Sequence, residues 1–355
     1  MECRGNRWIF DGPAYSRLWE KSAIGTLLDG GGLALTDIEV IFCRQHRGVE
    51  FASIADQKTM LLWLNERIST NPSVLREYAV FEALRVPGNK VVISENFSEM
   101  GIDSSISWAF RWSSDKHPSK HEADSEVIWF SSDEPLNSGS EDWQSLEGLL
   151  NWSKEVYSKG RISEVLVIDE EHSVVTYRIS ESNPIGNLQP PELSELQRIS
   201  TLESVEISSG GVFIIDGNNW KFDTIGLPLH GGRQLDNIEY EIVLSVANSE
   251  TDKMSESANI LFDLWNRGLS TRSGFKYGTK WRCYAGGVGE GHAPWLVVDS
   301  SSGGPKNWSE ACLSSRLASG VNKEWLYPIM DDGKWRYLQI SRPPSDSRWT
   351  NPIRH

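Results

Sequence analysis

A chain of 355 residues, 39% hydrophobic and 24% charged, has the composition of a soluble globular protein with room for more than one core, since single cores stop growing near ~250–300 residues. No apolar run approaches the ~20 residues of a membrane helix, and the N-terminal MECRGNRWIFDG has neither an apolar stretch nor a small-residue cleavage site, so a cytoplasmic protein without a membrane partner is expected. The net charge of -14 argues against a nucleic-acid partner until its distribution is considered: residues 256–355 hold 13 Lys+Arg against 9 Asp+Glu, and residues 1–255 hold 22 against 40.

In chain order the sequence repeats itself. WIFDG at 8–12 is echoed by FIIDG at 213–217, and Ile24-Gly25 by Ile225-Gly226. Gly31-Gly32-x-x-Leu35-x-x-Ile38-Glu39 then recurs as Gly231-Gly232-x-x-Leu235-x-x-Ile238-Glu239, shifted by 200 residues. Each copy predicts a short strand, a turn at Asp-Gly, and a Gly-Gly break leading to a helix capped by Thr36 or Asp37 in the first and by Asp236 or Asn237 in the second.

A second shared plan follows: a helix, strands, a helix and a hairpin. In the first copy these are REYAVFEALR (76–85), SWAFRW and SEVIWF, WQSLEGLLNWSKEVYSK, and EVLVIDEEHSVVTYRIS. In the second they are ANILFDLWNRG (258–268), KWRCY and APWLVV, SEACLSSRLASGV, and EWLYPIMDDGKWRYLQIS. Both hairpins turn at acidic residues, Asp169-Glu170-Glu171 and Asp331-Asp332-Gly333. The Pro-, Asn- and Ser-rich ESNPIGNLQPPELS reads as the connection.

The expected fold is therefore mixed α/β, as two tandem repeats. Each has a small N-terminal α/β subdomain and a C-terminal sheet-and-helix subdomain: 1–70 and 71–180, a linker at 181–205, then 206–255 and 256–355.

Chemistry-bearing residues gather in the second copy. Tyr284 and His292 bracket a glycine-filled loop, and Lys323 follows a predicted helix, whereas an approximate alignment sets Phe110, Asp124 and Arg161 at the matching places of the first copy. The loop is a poor nucleotide cradle because it enters a strand rather than opening a helix. Tyr, His and Lys together suit phosphoryl transfer without a metal: RNA brings its own nucleophile, the 2'-hydroxyl, so a base, an acid and a positive charge suffice. Imidazole transfers protons near neutral pH. A tyrosine, with an ordinary pKa near ~10, needs positive charge beside it, and Lys280, Arg282 and Lys323 are the candidates. Each residue also has an ordinary structural role open to it: core or rim for the tyrosine, strand edge for the histidine, solvent for the lysine. Cys3, Cys43, Cys283 and Cys312 have neither zinc nor disulfide spacing, so no metal and no cofactor are expected.

Taken together the second copy resembles the archaeal tRNA-splicing endonuclease family. The likeness runs through Asp263-Leu264-x-x-Arg267-Gly268, Gly274-Phe275-Lys276-Tyr277-Gly278, the aromatic strand Trp281 to Tyr284, His292-Ala293 before an apolar strand, and Arg316 with Lys323 behind it. Leu166 to Tyr177 resembles the family's closing hairpin in the first copy. The resemblance implies a nuclease-like fold for the C-terminal subdomains, with only the second catalytic, in a homodimer acting on precursor tRNA at bulge-helix-bulge junctions. It implies Tyr284 as general base, His292 as general acid and Lys323 as the stabilising charge, with 2',3'-cyclic phosphate and 5'-hydroxyl products. Arg316 matches an arginine that grips a bulge base, Arg342 is the candidate for a second, ahead of Arg336, and Asp169, Glu170 and Glu171 match an acidic loop that holds the assembly together. The chain departs from the family in the AGGVGEG loop, which is shorter and lacks a proline-rich turn. No DNA partner is expected. Two other readings stand beside an RNA endonuclease: a non-catalytic structural or RNA-binding subunit, and a metal-dependent nuclease, for which the second copy lacks a Glu-x-Lys pair.

Overall fold

Twice along the chain a glutamate three residues into a helix reaches back to cap it, and around this device the same elements are arranged. The computed structural model describes residues 2–4, 6–103, 105–136, 144–208, 210–215 and 220–350, the side chains of 2–4 excepted. Trp143, Asp216 and Gly217, all part of the segments quoted above, lie outside that set. Contacts divide the chain into two compact units, Met1–Ile179 with Asn307–Ser309 and Arg342–His355, and Ser180–Lys306 with Glu310–Ser341.

The first unit opens with β1 (Glu2–Arg4), β2 (Arg7–Phe10), α1 (Tyr15–Ser22), β3 (Thr26–Leu27), β4 (Leu33–Leu35) and α2 (Asp37–His46), its four strands ordered β1-β2-β4-β3. Helices α3 (Gln57–Thr70) and α4 (Val74–Arg85) follow, then β5 (Lys90–Ile93), β6 (Ala109–Trp112), β7 (Ser125–Ser131), α5 (Leu146–Ser158), β8 (Ile162–Ile168) and β9 (Val174–Ser182). Strands β5 to β9 lie in sequence order, antiparallel except for the parallel pair β7 and β8. Helix α5 makes that parallel crossover.

The second unit repeats the order. It begins with α6 (Leu193–Ser200), within the 181–205 stretch assigned above to the linker, then β10 (Ser204–Glu206), β11 (Val212–Ile215), β12 (Leu227–Leu229), β13 (Gly232–Leu235) and α7 (Asn237–Ala247), with strands ordered β10-β11-β13-β12. Next come α8 (Glu256–Asn266), β14 (Ser270–Ser273), β15 (Trp281–Tyr284), β16 (Trp295–Val297), α9 (Trp308–Gly320), β17 (Glu324–Asp331) and β18 (Lys334–Ser341), again in sequence order with one parallel pair, β16 and β17. The fold is mixed α/β.

The recurring Ile-Gly and Ile-Glu pairs prove to be two ends of one contact. Thr36 caps α2, and Glu39 accepts from the backbone N–H of Thr36 at 3.0 Å and of Gly25 at 2.8 Å. In the second unit Asp236 caps α7, and Glu239 accepts from Asp236 N and Gly226 N, both at 3.0 Å. Gly25 and Gly226 hold φ of 70° and 72°, a region in which a side chain is strained, and a Cβ on Gly25 would meet the Ala34 carbonyl at 2.7 Å. Each capping box thus ties its helix to the turn before the Gly-Gly break.

The cores follow from patterning. Helix α4 is buried nearly all round, so it reads as apolar on every face and packs against α2 and the sheet. Its Arg85 is fully buried, its Nη1 and Nη2 donate to the carbonyls of Ser22, Ala23 and Val91, and burial pushes its pKa down to about 10. In the second unit Ile260, Leu261, Leu264 and Trp265 of α8 meet Trp281, Cys283, Val297 and Leu326 of the sheet. Each such aliphatic side chain removed from water is worth about 1.5–3 kcal/mol.

Candidate active site

Strand β15 alternates. Trp281 and Cys283 point into the core of the second unit, and Arg282 and Tyr284 share the other face, with the Arg282 guanidinium 5.7 Å from the Tyr284 ring. Arg272 of β14 is the register partner of Arg282, so two arginines stand side by side on the tyrosine's face. Like charges opposite one another on a sheet are disfavoured, so this pair puts positive charge beside Tyr284 at some cost to the sheet. Arg272 was absent from the sequence candidates because STRS carries no strand signal of its own. Burial lowers its pKa while Glu239 works to raise it, and it is anchored to the Asp223 carbonyl at 3.0 Å.

Register brings the other two candidates to the same end of the sheet. Cys283 pairs with Trp295, and Trp295 with Glu324, so one step further Tyr284, Pro294 and Lys323 form a row across β15, β16 and β17. Glu324 N donates to the Pro294 carbonyl at 2.8 Å, which starts the parallel pairing. Lys323 leaves α9 through a turn in which Asn322 takes a left-handed φ of 54° and Lys323 N donates to Ala318 O at 3.0 Å. Its Nζ donates to the carbonyl of Ala293 and stands 5.5 Å from the Tyr277 ring. The ammonium is therefore held beside the residue that follows His292.

His292 is exposed at the end of the glycine loop, while Ala293 is buried. That loop is a closed turn: Gly287 N donates to the Glu290 carboxylate at 2.9 Å and Glu290 N to Gly287 O at 3.2 Å. Among the described residues no hydrogen bond links the side chains of Tyr284, His292 and Lys323 to one another. Of the three, His292 is exposed and Tyr284 is buried.

The flanking motifs are structural supports. Asp263 accepts from Arg267 Nε at 2.6 Å and from the Tyr337 hydroxyl at 2.7 Å, and Arg267 also donates to Trp335 O and Asn183 Oδ1, fastening α8 to β18. Gly268 lies so close to Gly186 that a Cβ on Gly186 would sit 2.0 Å from the Gly268 carbonyl oxygen. This closeness lets the backbone N–H groups of residues 186–188 donate to the carbonyls of Arg267, Ala285 and Gly268, next to Tyr284. In GFKYG, a Cβ on Gly274 would strike Thr279, and Gly278 takes φ 67°, which together make the tight turn that presents Tyr277 to Lys323.

The remaining candidates are dispersed. Arg316 is exposed on α9. Arg336 is 12% exposed and ion-paired with Glu181 at 2.8 Å and with Asp331; burial opposes its charge, but the two carboxylates outweigh that and raise its pKa. Arg342 is exposed at the start of the C-terminal segment that belongs to the first unit. At the tip between β8 and β9, Asp169 accepts from Glu171 N at 3.0 Å and Ser173 N at 2.7 Å, which uses one carboxylate as a turn cap and leaves Glu170 and Glu171 exposed.

Register also revises the first-copy counterparts. Lys90 pairs with Trp112 as Ser270 does with Tyr284, and Ser125 pairs with Ile162 as Trp295 does with Glu324. Tyr284, His292 and Lys323 thus correspond to Trp112, Glu122 and Arg161, not to Phe110, Asp124 and Arg161; unequal loops had shifted two of the three.

Residues 255–337 match the family model described as the tRNA intron endonuclease, catalytic C-terminal domain. That span contains β14 to β17, α9, and Tyr284, His292 and Lys323. The chain is similar to a tRNA-splicing endonuclease of Thermoplasma volcanium, 30% identical over 49% of this chain and 53% of the relative. It is also similar to one of Picrophilus torridus, 27% identical over 50% of this chain and 55% of the relative. A third, of Sulfurisphaera tokodaii, is 24% identical over 50% of this chain and 92% of the relative. The chain spans about half the length of the first two curated relatives it matches, and its likeness to the catalytic domain lies in its second unit.

Proposed function

We propose that the chain is a tRNA-splicing endonuclease that cuts precursor tRNA at the junctions of a bulge-helix-bulge element. The observation that carries this reading is the row of Tyr284, Pro294 and Lys323 across three strands, with exposed His292 two residues from Pro294, inside the stretch similar to the catalytic domain.

Tyr284, beside the Arg272 and Arg282 pair, removes the proton of the 2'-hydroxyl, whose oxygen then bonds to phosphorus. The bond from phosphorus to the departing 5'-oxygen breaks as His292 protonates that oxygen. Lys323 sits where negative charge builds at phosphorus. The products are a 2',3'-cyclic phosphate and a 5'-hydroxyl, and no step calls for a metal. The exposed Arg316 stacks on a bulged base, as the planar guanidinium suits; Arg342 is a second contact, and Arg336, held by two carboxylates, supports the sheet. The two units are two copies of one plan, of which the second carries the chemistry. Two chains assemble through the tip at Asp169, Glu170 and Glu171.

Incubation of the purified protein with a bulge-helix-bulge RNA in EDTA, followed by end-group analysis, tests this. Cyclic phosphate at both junctions is the expected result. Tight binding of uncut RNA would turn the assignment into that of a non-catalytic RNA-binding subunit.

A further inference from the structure

The first-unit counterparts of Tyr284, His292 and Lys323 all line one hollow. Trp112, Glu122 and Arg161 border a cavity of about 430 Å³, floored by Phe110 and Ile102 and rimmed by Lys159. Its size falls in the ~300–1,000 Å³ range of small-ligand sites. Trp112 and Arg161 are larger than Tyr284 and Lys323, yet the space between them stays open.

The polar groups of the hollow are fixed in place. Arg161 donates through Nη1 to the buried Glu126 carboxylate at 3.0 Å, and its guanidinium lies 4.9 Å from the Phe110 ring. The buried carboxylate also accepts from Ser105 and Ser107, so the arginine is anchored from behind. Through Nη2 it holds the exposed Glu122 carboxylate at 2.8 Å. The hollow therefore carries at its rim the Glu122 carboxylate, held at one oxygen by Arg161, and the Lys159 ammonium, paired with Glu155 at 2.7 Å.

We propose that this hollow binds an unpaired guanine of the RNA substrate. This rests on the reading that the chain handles RNA. The Glu122 carboxylate, held by Arg161 at Oε2, keeps Oε1 and a second lone pair on Oε2 for two adjacent N–H donors on a flat ring. Guanine offers that pair, N1–H and the exocyclic amine. Adenine and cytosine present an amine beside an acceptor nitrogen, and uracil a single N–H between carbonyls, so a carboxylate meets repulsion on those edges. The flat ring enters the hollow beside Trp112, and the attached phosphate draws Lys159 from its exposed pairing with Glu155. The first unit thereby keeps a base-holding role after losing the residues for cleavage.

Titration of the full-length protein with guanosine 5'-monophosphate by calorimetry tests the pocket without any cleavage step. The nucleotide is expected to bind, with 1-methylguanosine and cytidine monophosphates roughly tenfold or more weaker, because each loses a donor to the carboxylate. Glu122→Ala should cost a similar factor; its side chain is exposed, so the variant folds. Lys159→Ala should weaken the monophosphate by roughly 2–5-fold and guanosine not at all. A bulged precursor RNA should displace the bound nucleotide.

No binding, or binding indifferent to N1-methylation and to Glu122→Ala, overturns the pocket and leaves the cleavage assignment standing. Guanosine monophosphate bound through Glu122 but not displaced by RNA overturns the RNA as the source of the base. A protein that binds the nucleotide but cleaves no RNA keeps the pocket and fails the reading of the second unit.

Discussion

The ammonium of Lys323 donates to the carbonyl oxygen of Ala293, the residue after His292. One hydrogen bond thus ties the proposed charge to the backbone next to the proposed acid, and the Tyr277 ring lies 5.5 Å from the lysine Nζ. Lys323→Ala should lower kcat on a bulged RNA by about 10²–10³, the cost of losing one transition-state donor. Tyr277→Ala should cost about 2–5-fold and Tyr277→Phe little, since either ring attracts the cation. Single-turnover rates at saturating enzyme check both, and equal losses for Phe and Ala would remove the ring's role.

The strap at 186–188 depends on a backbone approach that only glycine permits. Gly186→Ala puts a methyl 2.0 Å from the Gly268 carbonyl oxygen and 3.0 Å from that of Ala285. It should cost about 1–3 kcal/mol or more in urea unfolding, whereas Gly291→Ala, where a Cβ meets nothing within 4 Å, should stay within about 0.5 kcal/mol. Equal midpoints for the two variants would show that the strap yields freely.

Glu239 gives a pH signature. Burial, helped by the nearby Asp236 charge, pushes its carboxyl up to about 7 in the folded protein from an ordinary value of 4.5. A raised acid favours its protonated form in the fold, so its stabilising effect is complete below pH 4.5 and is lost as pH rises to about 7. Glu239→Gln cannot titrate. The melting temperature of the wild type relative to this variant should therefore fall between those two values and level off above. A constant difference across that range would mean that the carboxyl titrates alike folded and unfolded.

Much of this was legible in the sequence. The repeat was visible because a capping box needs particular residues at fixed spacing: Glu39 and Glu239 must stand three places after Thr36 and Asp236, and Gly25 and Gly226 must accept a positive φ. Tyr284, His292 and Lys323 stood out by residue type and by a motif with little freedom. What escaped depends on register and packing. Strand β14, STRS, has no apolar alternation, so Arg272 and its pairing with Arg282 could not be seen. The counterparts Trp112 and Glu122 were missed because loops of different length separate equal strands. Helix α6 was hidden in a stretch whose prolines read as linker, although Leu196 and Ile199 of its buried face carry a helical spacing.

The acidic tip tests the assembly. Asp169 is spent on its own turn, whereas Glu170 and Glu171 project outward. Replacing both with lysine should leave the melting temperature nearly unchanged and halve the molar mass seen by light scattering. An unchanged mass would assign the tip to solvent.

The most direct measurement of the central claim is the single-turnover cleavage of a bulge-helix-bulge RNA by wild type and His292→Ala, in EDTA, with product ends identified. His292 is exposed and makes no hydrogen bond among the described residues that the fold relies on, so the variant should fold and bind RNA as the wild type does. The account predicts cyclic phosphate and 5'-hydroxyl ends from the wild type and a loss of about 10²–10⁴-fold in the variant's cleavage rate. Wild-type rates from His292→Ala, with the same ends, would contradict it.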